Sequence, residues 1–241
     1  MLSAVVSDIH GNCEALDAVL ADLDRRGVSR IACLGDLVGY GADPNACIEK
    51  LRPRVEVAVA GNHDLAACGR IRLGYFHADA ATAARWTDQQ LTPEHRAYLE
   101  ALPFTVEWLG MWLVHSSPAD PKAWHYVLSA SDAQMEMRSY THDVCLIGHS
   151  HYPGTFLRVN HTIDYTRDAE VRIEPGIKYL ITVPSVGQPR DGDPRAGYLL
   201  VDPERNLLTH VRLEYDVPRA AQRIRDAGLP VTLGERLRWG E

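Results

Sequence analysis

Short apolar runs recur along the chain, and five of them end in polar clusters. Ala4-Val5-Val6 leads into Asp8-Ile9-His10, Ile31–Leu34 into Gly35-Asp36, Val55–Ala60 into Gly61-Asn62-His63-Asp64, Trp112–Val114 into His115, and Val144–Ile147 into Gly148-His149-Ser150-His151. Between them the period changes. Leu2–Ser7, Arg30–Leu34 and Val55–Ala60 read as strands, while Asn12–Arg26, closed by Gly27, and Pro44–Leu51 read as amphipathic helices. This βαβαβ rhythm predicts a parallel sheet.

Three further helices follow at Leu65–Arg70, Ala78–Gln90 and Pro93–Ala101, the last with Thr92 as N-cap and Pro93 in its first turn. They are placed to roof the strand ends or pack on the sheet. After Pro103 strands dominate: Thr105–Trp108, Met111–His115, a helix from Ser131 to about Tyr140, Val144–Gly148, then short turn-separated β segments up to Leu213. Those late strands predict a second, mainly antiparallel or mixed sheet. A final helix, Val217–Ala227, has Asp216 as N-cap and Gly228 as its stop. With no repeat or linker in view, residues 1–241 are expected to form a single α/β domain of two packed sheets with helices outside.

In open α/β sheets the crevice beyond the carboxyl ends of strands is where loops converge and ligands bind, so the five clusters can meet in space. Two Asp, one Asn and several His at such ends offer hard and borderline donors that suit divalent metals. Gly35, Gly61 and Gly148 each precede a polar residue, as a sharply turning chain close to a ligand requires.

Composition narrows the partners. At 241 residues, 46% hydrophobic and 24% charged, the chain can bury a large core, and a net charge of −7 opposes stable nucleic-acid binding through phosphates. Cys13, Cys33, Cys47, Cys68 and Cys145 show neither disulfide nor zinc spacing and read as buried hydrophobes. Met1–Ser7 has no basic leader and no run is long enough to span a membrane, so a cytoplasmic protein, possible as an oligomer, is expected.

The ordered blocks D-x-H, G-D, G-N-H-D, H and G-H-x-H resemble the calcineurin-like metallophosphoesterases, here spanning Asp8 to His151. The resemblance implies the metallophosphoesterase-type α/β/β/α sandwich of two mixed sheets flanked by helices. It implies two divalent ions (Mn, Fe or Zn), one held by Asp8, His10 and His151 and the other by Asn62, His115 and His149, with Asp36 bridging. A water or hydroxide activated between them would attack phosphorus, with His63 as the acid. The second block, Gly35-Asp36-Leu37-Val38-Gly39-Tyr40-Gly41, lacks the acid and Arg that protein phosphatases carry there. Leu34–Asn45 and Ser185–Ala196 instead look like the small prokaryotic phosphodiesterase branch.

The expected activity is therefore hydrolysis of a phosphodiester or small nucleotide-type phosphoester. Phosphomonoester or dinucleoside polyphosphate hydrolysis are the enzymatic alternatives, and a metal-binding scaffold without turnover is the non-enzymatic one. Tyr40 and Arg190 are candidate substrate-binding residues, Arg190 compensating for the Arg absent at Tyr40. Ser116 stands where Gly is usual in that branch and could alter the pocket. Trp124 and His125 lie close enough after His115 to line a cleft, whereas His77, His95, His142, His161 and His210 read as surface or capping residues.

Overall fold

The computed structural model describes residues 1–241. Its elements in chain order are β1 (Ser3–Val6), α1 (Cys13–Arg25), β2 (Arg30–Cys33), α2 (Pro44–Leu51), β3 (Val57–Ala58), α3 (Asn62–Ala67), α4 (Ala78–Gln90), α5 (Pro93–Glu100), β4 (Thr105–Trp108), β5 (Met111–Val114), α6 (Ala130–Glu136), β6 (Val144–Ile147), β7 (Gly154–Val159), β8 (Thr162–Thr166), β9 (Glu170–Arg172), β10 (Lys178–Thr182), β11 (Ala196–Asp202), β12 (Leu207–Leu213), α7 (Val217–Asp226) and α8 (Val231–Arg236). Two six-stranded mixed sheets result, ordered β3-β2-β1-β11-β12-β9 and β4-β5-β6-β10-β7-β8. The fold is the expected α/β/β/α sandwich.

Alternation along β1 shows why the layers form. Ala4 and Val6 point to the helix side, packing with Leu16, Val19 and Leu23 of α1, while Val5 points between the sheets toward Ala32, Leu146 and Ile181. Both faces of β1 are fully buried, as a central parallel strand requires. On the far face of the second sheet, Cys145, Ile147 and Leu180 pack under Ala133 and Met137 of the α6 region.

β1, β2 and β3 pair in parallel, as the opening rhythm predicts. The expectation that the late strands build only the second sheet is corrected. β11 pairs antiparallel with β1 and, through β12, brings β9 into the first sheet, whereas β10, β7 and β8 extend the second from β6. Tyr198 and Leu199 of β11 are both fully buried on opposite faces, so this strand can sit only inside a covered sheet. The C-terminal α8 is an addition to the expected elements. Its Leu233 packs with Ile224 of α7 and with Tyr40.

Two sequence cues act as anticipated: Thr92 Oγ1 caps α5 at His95, and Asp216 caps α7 at Arg219. Asn12, expected as the first helical residue, instead caps α1, its Oδ1 accepting from the Ala15 N–H. The helix expected from Leu65 begins instead at Asn62, directly behind the third polar block.

Candidate metal centre

The carboxyl ends of β1, β2, β3, β5 and β6 converge, and the five polar blocks meet there. Ten non-glycine residues have positive φ, and seven of them are here: Asp8, His10, Asp36, Tyr40, Trp124, His149 and His151. Such backbone costs of order 1–3 kcal/mol per residue and persists only where the surroundings impose it. Turning left-handed after β1, β2 and β6 aims Asp8, His10, Asp36, His149 and His151 inward.

Hydrogen bonds then fix the imidazoles. A carbonyl only accepts, so the ring nitrogen facing it must carry the proton. His10 Nδ1 donates to the Val38 carbonyl at 3.2 Å, His115 Nδ1 to Leu34 at 2.6 Å, and His151 Nδ1 to Gln188. Each therefore turns Nε2 to the interior, where it can serve as the donor atom. His149 is turned the other way: Nε2 donates to the Trp124 carbonyl at 2.9 Å, leaving Nδ1 as its free donor atom.

The inward atoms are close. His10 Nε2 and His151 Nε2 lie 3.1 Å apart, His151 Nε2 is 3.2 Å from Asp8 Oδ1, and Asp36 Oδ2 is 3.3 Å from His115 Nε2 and 3.7 Å from His10 Nε2. Donor atoms gather as Asp8/His10/His151, as Asp36/His115/His149, and as His10/Asp36/His63 between them. Asn62 Oδ1, His115 Nε2 and His63 Nδ1 are buried without a partner.

Electrostatics favour a cation at this point. Asp8 and Asp36 are buried with no Lys or Arg paired to them. Burial opposes their ionisation, yet the facing imidazoles hold both carboxyls below the usual carboxylate range, His151 for Asp8 and His115 for Asp36. Burial would also lower His115, but Asp36 and Asp8 raise it to about 9. Two opposed Nε2 lone pairs, two buried carboxylates and an orphaned amide oxygen fit divalent-cation binding.

Asp64 and Gly39, which the sequence reading left without a role, and Gly61, read there as a sharp turn, have one here. Asp64 accepts from the N–H groups of Gly61 (3.0 Å), Asp36 (2.8 Å), Leu37 (2.8 Å) and Val38 (3.3 Å), so one carboxylate holds the second block and the start of α3 together. Burial and the charge of Asp36 push its pKa up to about 7, against the pull of those donors. Its sequence signal was its place as the last residue of the G-N-H-D block, just before the expected helix. At Gly61 a Cβ would lie 2.0 Å from Asp36 Oδ1, and at Gly39 it would lie 2.6 Å from His63 Nδ1. Both glycines are places where backbone passes against a site side chain.

His63 packs edge-on against His10 and Phe76 and tilted on Tyr40, with ring centroids 4.4–5.1 Å away. Burial, and secondarily the positive charge of Arg190 against the pull of Asp36, leaves its pKa near 4. Its backbone N–H donates to Asp36 Oδ1 at 2.8 Å. Arg190 is half-buried and donates to the Tyr40 hydroxyl (3.2 Å) and to Gln188 Oε1 (2.9 Å), with no carboxylate partner. Ser116 has no left-handed backbone, so the side chain that replaces glycine there causes no backbone strain.

A cleft of about 600 Å³ opens from Asn62, His63 and His149. Tyr75 and Phe76 form one wall and Trp124 and Tyr126 the other, Tyr126 stacking on His149 at 4.3 Å. Arg70, Arg72 and Lys122 line it and no Asp or Glu does. Trp124 thus lies where the sequence placed it; His125 is exposed and outside this lining.

A family model described as calcineurin-like phosphoesterase superfamily domain matches residues 1–206. The chain is 39% identical over 238 residues to the uncharacterized protein MJ0912 of Methanocaldococcus jannaschii, covering 97% of this chain and 96% of that protein. It is similar to a metallophosphoesterase from Sphaerobacter thermophilus at 36% identity and a TM-score of 0.87, with 100% of both chains covered. The hypothetical protein PH1004 from Pyrococcus horikoshii OT3 shares the fold at 21% identity and a TM-score of 0.80, over 100% of this chain and 98% of that one.

Proposed function

The chain belongs to the calcineurin-like phosphoesterase superfamily, a family of metal-dependent phosphoric ester hydrolases, and on that footing we propose that it is a dinuclear phosphodiesterase acting on small nucleotide-type phosphoesters. Convergence of two donor sets on Asp36 carries this reading. Asp8, His10 and His151 would hold one ion, Asn62, His115 and His149 the other, and Asp36 both. Bound Mn, Fe or Zn would supply a nucleophile from water near neutral pH and positive charge against the phosphoryl oxygens.

The side chains do the rest. Nδ1–H bonds to Val38, Leu34 and Gln188 keep Nε2 of three imidazoles turned to the donor cluster before any ligand arrives, so a bound cation has only to displace a proton from His115. His63, on the cleft wall, is the group for the leaving oxygen. It is neutral in the free protein, and the negative charge of a bound substrate favours its protonation. Tyr40 and Gln188 aim Arg190, whose unpaired guanidinium is available to phosphate oxygens.

A group on each side of phosphorus suits a cleft with two aromatic walls, which favours a diester over a monoester. Arg72 and Lys122, neither of them paired with a carboxylate, and the absence of any acid in the cleft lining, in a chain of net charge −7, favour substrates with further phosphate groups, dinucleoside polyphosphates among them. We place the reaction in the cytoplasm and in one domain. Five unpaired buried cysteines suit a reducing compartment, and no helix is long and apolar enough to cross a membrane.

Bis-(4-nitrophenyl) phosphate and 4-nitrophenyl phosphate, compared with added Mn²⁺, test the proposal. Faster turnover of the diester is expected. His63→Ala should keep the metal stoichiometry and lose roughly 10²–10⁴-fold in kcat. Two bound metals without turnover of either ester would make the protein a scaffold.

A further inference from the structure

Ten buried polar side-chain atoms lack a partner. Three are on Asn62, His63 and His115 at the metal centre, and three more, Asp191 Oδ1 and both ring nitrogens of His210, are at a separate cavity of about 290 Å³. Gly154, Arg167 and Arg212 line it with them. A surface role was the reading for His210, and its half-buried position on β12 corrects that.

The cavity has a definite charge pattern. Arg212 donates to Asp191 Oδ2 and, at 3.1 Å, to the Arg195 carbonyl, while Arg167 lies 3.6 Å from the same Oδ2. One carboxylate against two guanidiniums leaves one net positive charge, and Arg212 and Asp191 are 13% and 8% exposed, too covered for water to screen it fully. Burial and the charge of Arg212 lower His210 to about 4, so its ring offers one N–H and one lone pair, both unused. Arg167, 55% exposed, stands at the cavity with N–H groups free.

The occupant these groups call for is small, carries about one negative charge, accepts from His210 and Arg167, and donates to Asp191 Oδ1. At 290 Å³ the space is just under the ~300–1,000 Å³ of drug-sized sites. We propose that the cavity is a second anion site, which takes a phosphate group that still bears a proton, as inorganic phosphate or the end of a phosphomonoester. Sulfate has the same shape but no proton at neutral pH. Against Asp191 Oδ1 it would set acceptor on acceptor, which a buried site does not tolerate.

The test is isothermal titration calorimetry on the metal-loaded full-length protein with phosphate, methylphosphonate and sulfate. Two phosphates per chain are expected, one of them at the metals. Arg167→Ala and His210→Leu should each weaken only the second, by roughly 10- to 100-fold, the worth of a charge-assisted hydrogen bond. Asp191→Asn, which presents an amide N–H to the cavity, should admit sulfate. Methylphosphonate, a surrogate for the ester end, binds more tightly than phosphate if a phosphomonoester is the ligand and more weakly if inorganic phosphate is. A single phosphate per chain, a second site unchanged in both variants, or equal binding of sulfate and phosphate by the unaltered protein would overturn the proposal; should either variant fold poorly by its thermal midpoint, the sulfate comparison still decides.

Discussion

Asp8, His10, Asp36, Asn62, His115, His149 and His151 are all less than a tenth exposed, whereas Arg72, Lys122 and Tyr126 at the adjoining cleft stand in solvent and Tyr75 is 92% exposed. Left-handed backbone and carbonyl contacts hold the donors at strand ends in the packed core. The cleft walls come from the segment around a 3-10 turn at Leu73–Tyr75 and from the connection after β5, whose Tyr75, Lys122 and Tyr126 side chains face solvent. The donors are packed into place, while exposed wall side chains such as Tyr75, Arg72 and Lys122, which touch none of them, can change without disturbing the centre; Trp124 and Tyr126, through His149, tie the wall to it. On the proposed function, the first region would supply the chemistry and the second the choice of substrate.

That contrast can be broken most severely at Asp36. Asp36→Asn removes the charge shared by both donor sets and should lower kcat for any phosphoester by roughly 10⁴-fold, the scale of several kcal/mol of lost charge stabilisation. Metal content by atomic emission should fall with it. Retained activity would show that the two donor sets do not act together.

Asp64→Ala comes next and tests whether the centre is held by its backbone. Four N–H groups lose their acceptor, a cost of about 3 kcal/mol or more, which at this chain length lowers Tm by roughly 6–12 °C. Metal affinity should fall too, although Asp64 belongs to none of the donor groups. A Tm within a degree of the original would remove its positioning role.

On the cleft side, effects should be smaller and depend on substrate. Arg72→Ala with Lys122→Ala should lower kcat/KM by about tenfold for a dinucleoside polyphosphate, since each exposed ion pair is worth up to about 1 kcal/mol. It should leave bis-(4-nitrophenyl) phosphate nearly untouched. Equal losses on both substrates would mean that these cations act on the centre instead. Tyr75→Ala should be the mildest, a loss of about two- to fivefold in kcat/KM for nucleotide esters from a lost stacking contact, with kcat and Tm unchanged.

The sequence was legible where the information is local. Caps at Thr92 and Asp216, the parallel β1–β2–β3 unit and the polar blocks at strand ends follow from residue type and spacing, because periodicity and strand-end position act over a few residues, whereas the assignment of seven donors to two ions was what the family resemblance implied. The place of β11 beside β1 was not legible. Its register, Ser3 against Val201, joins residues from opposite ends of the chain, and a short apolar strand does not announce its partner. Asp64 was overlooked for a related reason: its four donors include three from a block almost thirty residues earlier.

By itself, then, the chain order of carboxylate, imidazole and amide determined which donors could meet and what class of ion they suit. Only the tertiary structure decided their orientation. Ser185 Oγ donates to the Asp8 carbonyl at 3.0 Å across 177 residues, and Gln188 gives the carbonyl that sets the tautomer of His151. It likewise decided that Asp191, Arg212 and His210 share one cavity. Donor identity is a property of each side chain, but lone-pair direction and burial depend on groups brought together from distant segments, and the packed core holds them there.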